Sequence, residues 1–589
     1  MDKKLIISDT ARARAKEFLE ISGQFRLGEL VTESSHPVTA NLSEVAQEDI
    51  GAALDLLFQV DEDVVAKYRE WVESGRSNEI ADVVTKSLQS GGRIFFTGCG
   101  ATGRLSILID SIWRDFWQGR GSQWEDRTVS LMAGGDFALI KSVEGFEDIT
   151  EFGRRQIADA GVGPNDVVFA ITEGGETSWV IGTAWQALES GAKVYFVYNN
   201  PDDILREHVE RSREIIDEPR IEKINLTTGP MAITGSTRMQ ATTIQLCVMV
   251  TILEIVVRNL DRITAMEEAN IPHQFLKSLE SMLSALRSEQ TLRQLADLVE
   301  MEESVYRSGG KVNYFADQLA IDVLTDTTER SPTFCIPPFK KWDDPSASDS
   351  WAFLFTPGKT TTDAWQRLLK RKLRAVEWSE DQVREMVGDI DSSHRYEVIK
   401  RISLSEIYRF RIGRDGMDLR PLGQGDAAIF VLDDGDESFQ AAAQSVLESG
   451  AKVGFIQACD RLAGSPSVTL PSIGDEFLLY GIKRAGVKML LNALSTCIMV
   501  RLGRVMGNYM IYVVPSNLKL IDRATRYVSR LTGLTYEDAC HLVFDVIEYV
   551  EPRMKNDMAY PPVVGMSAIR AKEHVGNCDA QEILARLNR

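Results

Sequence analysis

At 589 residues the chain is too long for one hydrophobic core, so two or more domains are expected. Its 44% apolar and 26% charged residues are those of an ordinary globular protein. A formal net charge of −20 argues against a nucleic-acid partner, which needs a basic face, but leaves a phosphorylated metabolite open, because backbone amides and hydroxyls bind phosphate without net positive charge.

The N-terminus, MDKKLIISDTARARAKEF, lacks an apolar signal core, and residues 1–60 are expected to form a helical or extended arm. In residues 61–260 short apolar runs alternate with helical patterns. Strands are predicted at 93–97, 129–133, 166–172, 193–199 and 223–228, and helices at 102–117, 149–160, 177–190, 203–215 and 238–258. That alternation predicts βαβ units and a doubly wound, mostly parallel sheet, with ligands at the carboxyl ends of its strands. The longest apolar run, around Leu246 to Val257, contains Glu254 and falls short of a membrane span. Seven cysteines stand singly with no CxxC pair, which suits a reducing compartment and offers no metal or redox motif. The expected location is cytoplasmic.

The same α/β text recurs further along. LESGAKV occupies 188–194 and again 447–453, 259 residues on. NDVVFAITEGGETS at 165–178 resembles GDAAIFVLDDGDES at 425–438, and SGGRIFFTG at 90–98 resembles SGGKVNYFA at 308–316. Three matches in one order predict a second α/β unit in tandem over residues 261–515. Its charged stretch 338–425 is expected to be a decorated or irregular part, and residues 516–589 a helical, polar lid.

Three loops of the first unit carry chemistry. The first strand runs into Gly98-Cys99-Gly100-Ala101-Thr102-Gly103-Arg104, where glycines permit close backbone approach and a helix N-terminus supplies free amides. As text this is also the dinucleotide pattern GxGxxG, yet the acidic residue expected ~20 positions on is out of place. The third strand ends in Thr172, Glu173, Gly174, Gly175, Glu176, Thr177 and Ser178, and the fifth leads to Ser236 and Thr237. Any one of these hydroxyls reads as a helix cap. Three such loops on one sheet favour an anion cradle suited to phosphate.

GCGATGRLS, ITEGGETS and TGSTRM, in that order, resemble the SIS (sugar isomerase) fold. With VTESSHPVTANL, AGGDFALIKSVEGFEDI at 133–149 and KMLLNALSTCIMVRLGRVMGNYM at 488–510, the chain is similar to the branch containing N-acetylmuramic acid 6-phosphate etherases and the glucokinase regulatory protein. The resemblance implies two tandem SIS domains and a phosphorylated-sugar ligand held by Gly100, Ala101, Thr102, Glu144, Glu147, Thr172, Glu173, Gly174, Thr177, Ser236, Thr237 and Lys488. It also implies a sugar-phosphate-responsive regulatory protein with a partner such as a sugar kinase, and no cofactor or metal.

The alternative that the resemblance leaves open is an enzyme on phosphorylated amino sugars, either a lactyl-ether lyase or an aldose–ketose isomerase. An etherase needs two carboxyls, one to take a proton and one to protonate the leaving oxygen. Glu147 matches one of these, while the other falls at Ile112, which cannot carry a proton and speaks against turnover. The second unit keeps similar text at Glu329-Arg330-Ser331-Pro332-Thr333-Phe334, but Phe315-Ala316-Asp317-Gln318-Leu319 replaces the glycine cradle. Glu329 is read here as a surface charge at a helix end, and the second unit as a packing partner.

Overall fold

The computed structural model describes the chain apart from residues 1–6, 23–25, 144, 263–269, 435–437, 459–465, 475, 555–559 and 574–589. Two five-stranded sheets organise it. The first comprises β1 (Ile94–Gly98), β2 (Thr128–Met132), β3 (Val167–Ile171), β4 (Lys193–Tyr198) and β5 (Ile221–Asn225), in the order β2-β1-β3-β4-β5. Every neighbouring pair is parallel, and Phe96 faces Ser130 on one side and Phe169 on the other. β1 and β3 are buried at every residue, which is why they read as unbroken apolar runs and not as alternation.

The second sheet comprises β6 (Val312–Ala316), β7 (Ala352–Phe355), β8 (Ala427–Leu432), β9 (Lys452–Gln457) and β10 (Ser467–Thr469). Its order, β7-β6-β8-β9-β10, repeats that of the first strand for strand, again all parallel. The fold class is therefore α/β with two doubly wound parallel sheets.

The helices follow the expected pattern with one exception. Gly100–Trp117, Thr150–Asp159, Ser178–Glu189 and Gln240–Asp261 each fall within a few residues of the prediction. Residues 203–215 instead form two helices, Asp202–His208 and Glu210–Asp217, because Val209 between them is extended at φ −133° and ψ 102°. The stretch 338–425 is more ordered than expected. It carries β7 and several helices, and it packs back on the helices and turn that flank the first sheet through Arg371 to Asp110 and Asp136 and through Trp378 to Asp159.

Two long helices run through the middle. Gln240–Asp261 is long and apolar enough to cross a membrane by length and composition, yet its apolar window is wholly buried in the protein. It packs on Gly481–Arg501, which is buried along nearly its whole length. The N-terminal segment and the helix Leu518–Thr532 clasp each other through Glu33, which pairs with Arg523 and Arg526. Tyr527 then donates to the Thr234 carbonyl at 2.6 Å, so this clasp rests on the loop after β5.

Candidate functional site

The helix after β1 packs on Ala320–Phe334 of the second half, and the loops after β3 and β5 meet Leu518–Thr532 through Lys519 on Glu176 and Tyr527 on Thr234. In the first loop Gly100 takes φ +55°, and a Cβ on Gly98 would stand 2.5 Å from the Thr102 carbonyl, so both glycines are steric requirements. Thr102 is a cap: its hydroxyl accepts from the Cys99 amide at 3.1 Å and donates to the Cys99 carbonyl at 2.9 Å. In the second loop the hydroxyls of Thr172 and Thr177 bond each other at 3.2 Å, and Gly175 takes φ +77°. Ala101 and Gly174 add backbone to these turns, and Ser236 is buried in the third loop.

Carboxyl groups join the three loops. Glu147 accepts from the Cys99 thiol at 3.0 Å and is anchored by its own carbonyl, which takes the Trp179 amide at 2.9 Å. Burial, with the nearby Glu329 and Glu147, pushes Glu173 up to about 8 against the opposing pull of its own backbone and Thr237. Cys99 is raised well above the usual thiol value by burial and by Glu147 and Glu173. It is a weak donor here and not an activated nucleophile. Glu144 lies outside the described residues.

The second half also supplies a group. Glu329 is no surface charge: it is 7% exposed and pairs with the fully buried Arg104 of the first loop's helix. Arg104 further donates from Nε to the Leu139 carbonyl at 3.1 Å and to Thr328 Oγ1 at 3.0 Å, while its Nη2 has no hydrogen-bond partner among the described residues. Ile112 requires the converse correction. It lines a separate cavity of about 240 Å3 with Phe116, Arg120, Leu479, Tyr480 and Arg484, on the side of the second half. It stands about 15 Å along the helix from Thr102.

Lys488 is buried, not solvated. Its Nζ donates to the Arg238 carbonyl at 2.7 Å, at the end of the third loop, and burial lowers it to about 8 although Asp61 and Glu329 are close. Asp61 is raised by burial to about 7. Arg238 pairs with Asp326 at 3.3 Å and donates to Ser495 and Thr496, which fixes the third loop to both helices of the second half.

Sequence reasoning gave no role to Arg104 or Glu176, though both stand in the loops it singled out, and it missed Asp61 and Lys519. Lys519, in the first turn of Leu518–Thr532, donates to Glu176 at 2.7 Å beside the second loop and lies close to Glu147. Its partner is more than three hundred positions away, and no local pattern signals such a contact. The repeated text around Glu329 was the one available clue. The assembled geometry is a partly buried, carboxyl-rich site at three strand ends, with amides and hydroxyls below and cations from the second half and the C-terminal helix around it.

Residues 77–188 match the family model described as the glucokinase regulatory protein N-terminal SIS domain. The N-acetylmuramic acid 6-phosphate etherase of Clostridium acetobutylicum is 31% identical over 219 residues, 37% of this chain and 66% of that protein. The etherase of Aliivibrio fischeri is 32% identical over 218 residues, 37% of this chain and 65% of that protein. The chain thus spans just under two thirds of the length of these relatives. Among solved structures, the C-terminal domain of glucosamine-fructose-6-phosphate aminotransferase from Francisella tularensis aligns with TM-score 0.43 and 11% identity, covering 75% of this chain and 94% of that one. Glucosamine-6-phosphate deaminase from Thermotoga maritima aligns with TM-score 0.33 and 10% identity, covering 73% of this chain and 94% of that one.

Proposed function

From the match of residues 77–188 to a SIS-domain model and the 31–32% identity to N-acetylmuramic acid 6-phosphate etherases, we propose that the chain binds a phosphorylated amino sugar and cleaves a lactyl ether from it. The observation that carries this reading is the entry of Glu329 from the second half into the first cradle, near Glu173 and, through it, Glu147. A lyase of this kind needs two carboxyls about one sugar. One takes the proton from the carbon next to the carbonyl carbon, and the electron pair forms a double bond as the bond to the lactyl oxygen breaks. The other gives its proton to that oxygen. Glu147 and Glu329 reach the site from different elements and suit the two tasks, with Lys488 beside Glu329 and Lys519 beside Glu147 to balance charge.

The sugar's phosphate would take the amides after Gly100 and Gly174, together with Ala101, Thr102, Thr172, Thr177, Ser236 and Thr237. The expected regulatory role, with a sugar kinase as partner, draws its support from the family model over residues 77–188. The etherase reading has the relatives and the Glu329 placement. A cytoplasmic location belongs to the same proposal.

The test is D-lactate release from N-acetylmuramic acid 6-phosphate, run beside a thermal-shift titration with the same compound. Release with a ligand-dependent rise in Tm is expected. A shift without release would favour the regulatory role, and neither shift nor release would overturn both.

A further inference from the structure

The second half has its own counterpart of the first cradle. Gly481–Arg501 follows the last strand of the second sheet as Gln240–Asp261 follows the last strand of the first. Leu478, Leu479 and Tyr480 therefore stand where the third loop ends in the first half. Across the interface from them come Phe116, at the far end of Gly100–Trp117, and Arg120, in the turn beyond it. The cavity of about 240 Å3 lies between these two sets. It is smaller than the usual ligand pocket of about 300–1,000 Å3, so its occupant is small. Carboxylates disfavour phosphate in this half, where Asp317 pairs with Arg367 and Asp433 with Lys483.

Arg484 lines the cavity, is 7% exposed, and pairs through Nη1 with Asp322. Nη1 is the one nitrogen of this guanidinium with a partner among the described residues. Asp322, 5% exposed, gives Arg484 one oxygen, and its Oδ1 is buried with no hydrogen-bond partner among the described residues. One buried ion pair thus keeps a donor edge and an acceptor oxygen unspent, and an unfilled buried group costs free energy. A lone anion would be repelled by Asp322 and a lone cation by Arg484, whereas a ligand bearing both charges a few ångströms apart satisfies the two together. Leu478, Leu479 and Phe116 offer it apolar surface. On the rim, Asp115 is taken by Lys370 at 2.7 Å, while the Arg120 guanidinium lies 4.2 Å from the Phe116 ring centroid with no ion pair among the described residues. Tyr480 is 52% exposed and held at φ +52°, the strained left-handed region that recurs at ligand clamps. We propose that this cavity is a second ligand site, for a small apolar amino acid whose carboxylate takes Arg484 and whose ammonium takes Asp322, with Arg120 and Tyr480 at its mouth.

The test is calorimetric titration of the full chain with L-leucine at pH 8. One leucine per chain is expected to bind, with or without N-acetylglucosamine 6-phosphate, a sugar phosphate with no lactyl ether to cleave. 2-Hydroxy-4-methylpentanoate lacks the ammonium and 3-methylbutylamine lacks the carboxylate, so each should bind about 10-fold more weakly or worse. Arg484→Gln should abolish binding, but it also strands Asp322, so two exposed residues carry the test with the fold kept. Arg120→Gln removes the rim cation, and Tyr480→Gly removes the ring while suiting the local φ. Both should weaken leucine about 10-fold with Tm within a few degrees of wild type. No leucine binding by wild type, equal binding of the hydroxy acid or the amine, displacement by the sugar phosphate, or unchanged affinity in both exposed variants would each overturn the assignment. None of these results bears on D-lactate release, and a failure of that release leaves this site standing.

Discussion

Glu329→Gln separates a catalytic contribution from a structural one. The replacement keeps the shape and an acceptor for Arg104 but removes the negative charge opposite a guanidinium with no exposure to water. A charge-assisted bond becomes a neutral one, worth roughly half as much, so the loss in stability is about 1–2 kcal/mol. For domains of this size that is a fall in Tm of only several degrees, and the protein stays folded at 25 °C. If Glu329 moves a proton in lactyl-ether cleavage, its removal costs roughly 10²- to 10⁴-fold in rate, or about 3–5 kcal/mol of barrier. The two effects thus differ enough to be read apart. The assay is D-lactate release at 25 °C alongside a melting curve, with Ile112→Glu as a control expected to leave the rate unchanged, because Ile112 lines the other cavity. A Glu329→Gln rate within threefold of wild type, with Glu147→Gln reduced a hundredfold, would refute the claim that the second half completes the site.

Three further outcomes follow from buried charge and close packing. Burial raises Glu176, but Lys519 and Arg211 overcome it and hold the carboxyl down to about 2, so its stabilisation is full above about pH 4.5 and is lost as the pH falls toward 2. Lys519→Met should therefore lower Tm at pH 7 and flatten the acid limb of a calorimetric pH series between 3 and 7; an unchanged series would exclude the coupling. Arg371→Met strips a guanidinium from Asp136, which it meets at 2.7 Å and 3.0 Å, and from Asp110 at 3.1 Å. Leaving those buried carboxylates short of a partner should cost about 3–5 kcal/mol, seen as a lower denaturant midpoint. A Cβ on Gly182 would stand 2.1 Å from the Thr150 carbonyl, so Gly182→Val should force two helices apart at about 1–3 kcal/mol and displace Glu147, weakening the thermal response to N-acetylglucosamine 6-phosphate.

The first sheet was legible because parallel strands buried on both faces leave unbroken apolar runs, and the glycine loops because positive φ and close approach admit little else. The break at Val209 was not, since nothing local demands an extended residue there. The placement of Glu329 depends on which helix packs on which, a relation between residues 225 positions apart in the Arg104 pair. Part of it, however, was open to arithmetic. Ile112 lies ten residues beyond Thr102 in an unbroken helix, and at 1.5 Å per residue that is about 15 Å from its own cradle. Glu329 lies nine residues beyond the start of the corresponding helix, Ala320–Phe334, so it too leaves its own loop behind. Neither residue can serve the cradle of its own half, and each must face the other half if it faces a site at all. On the proposed lyase reading, Ile112 leaves the second half's loop without a carboxyl from across the interface, while Glu329 serves the glycine cradle of the first half. On that reading Ile112 and Glu329 form one pattern: of two related positions facing across one interface, the one that meets the glycine cradle carries the carboxyl.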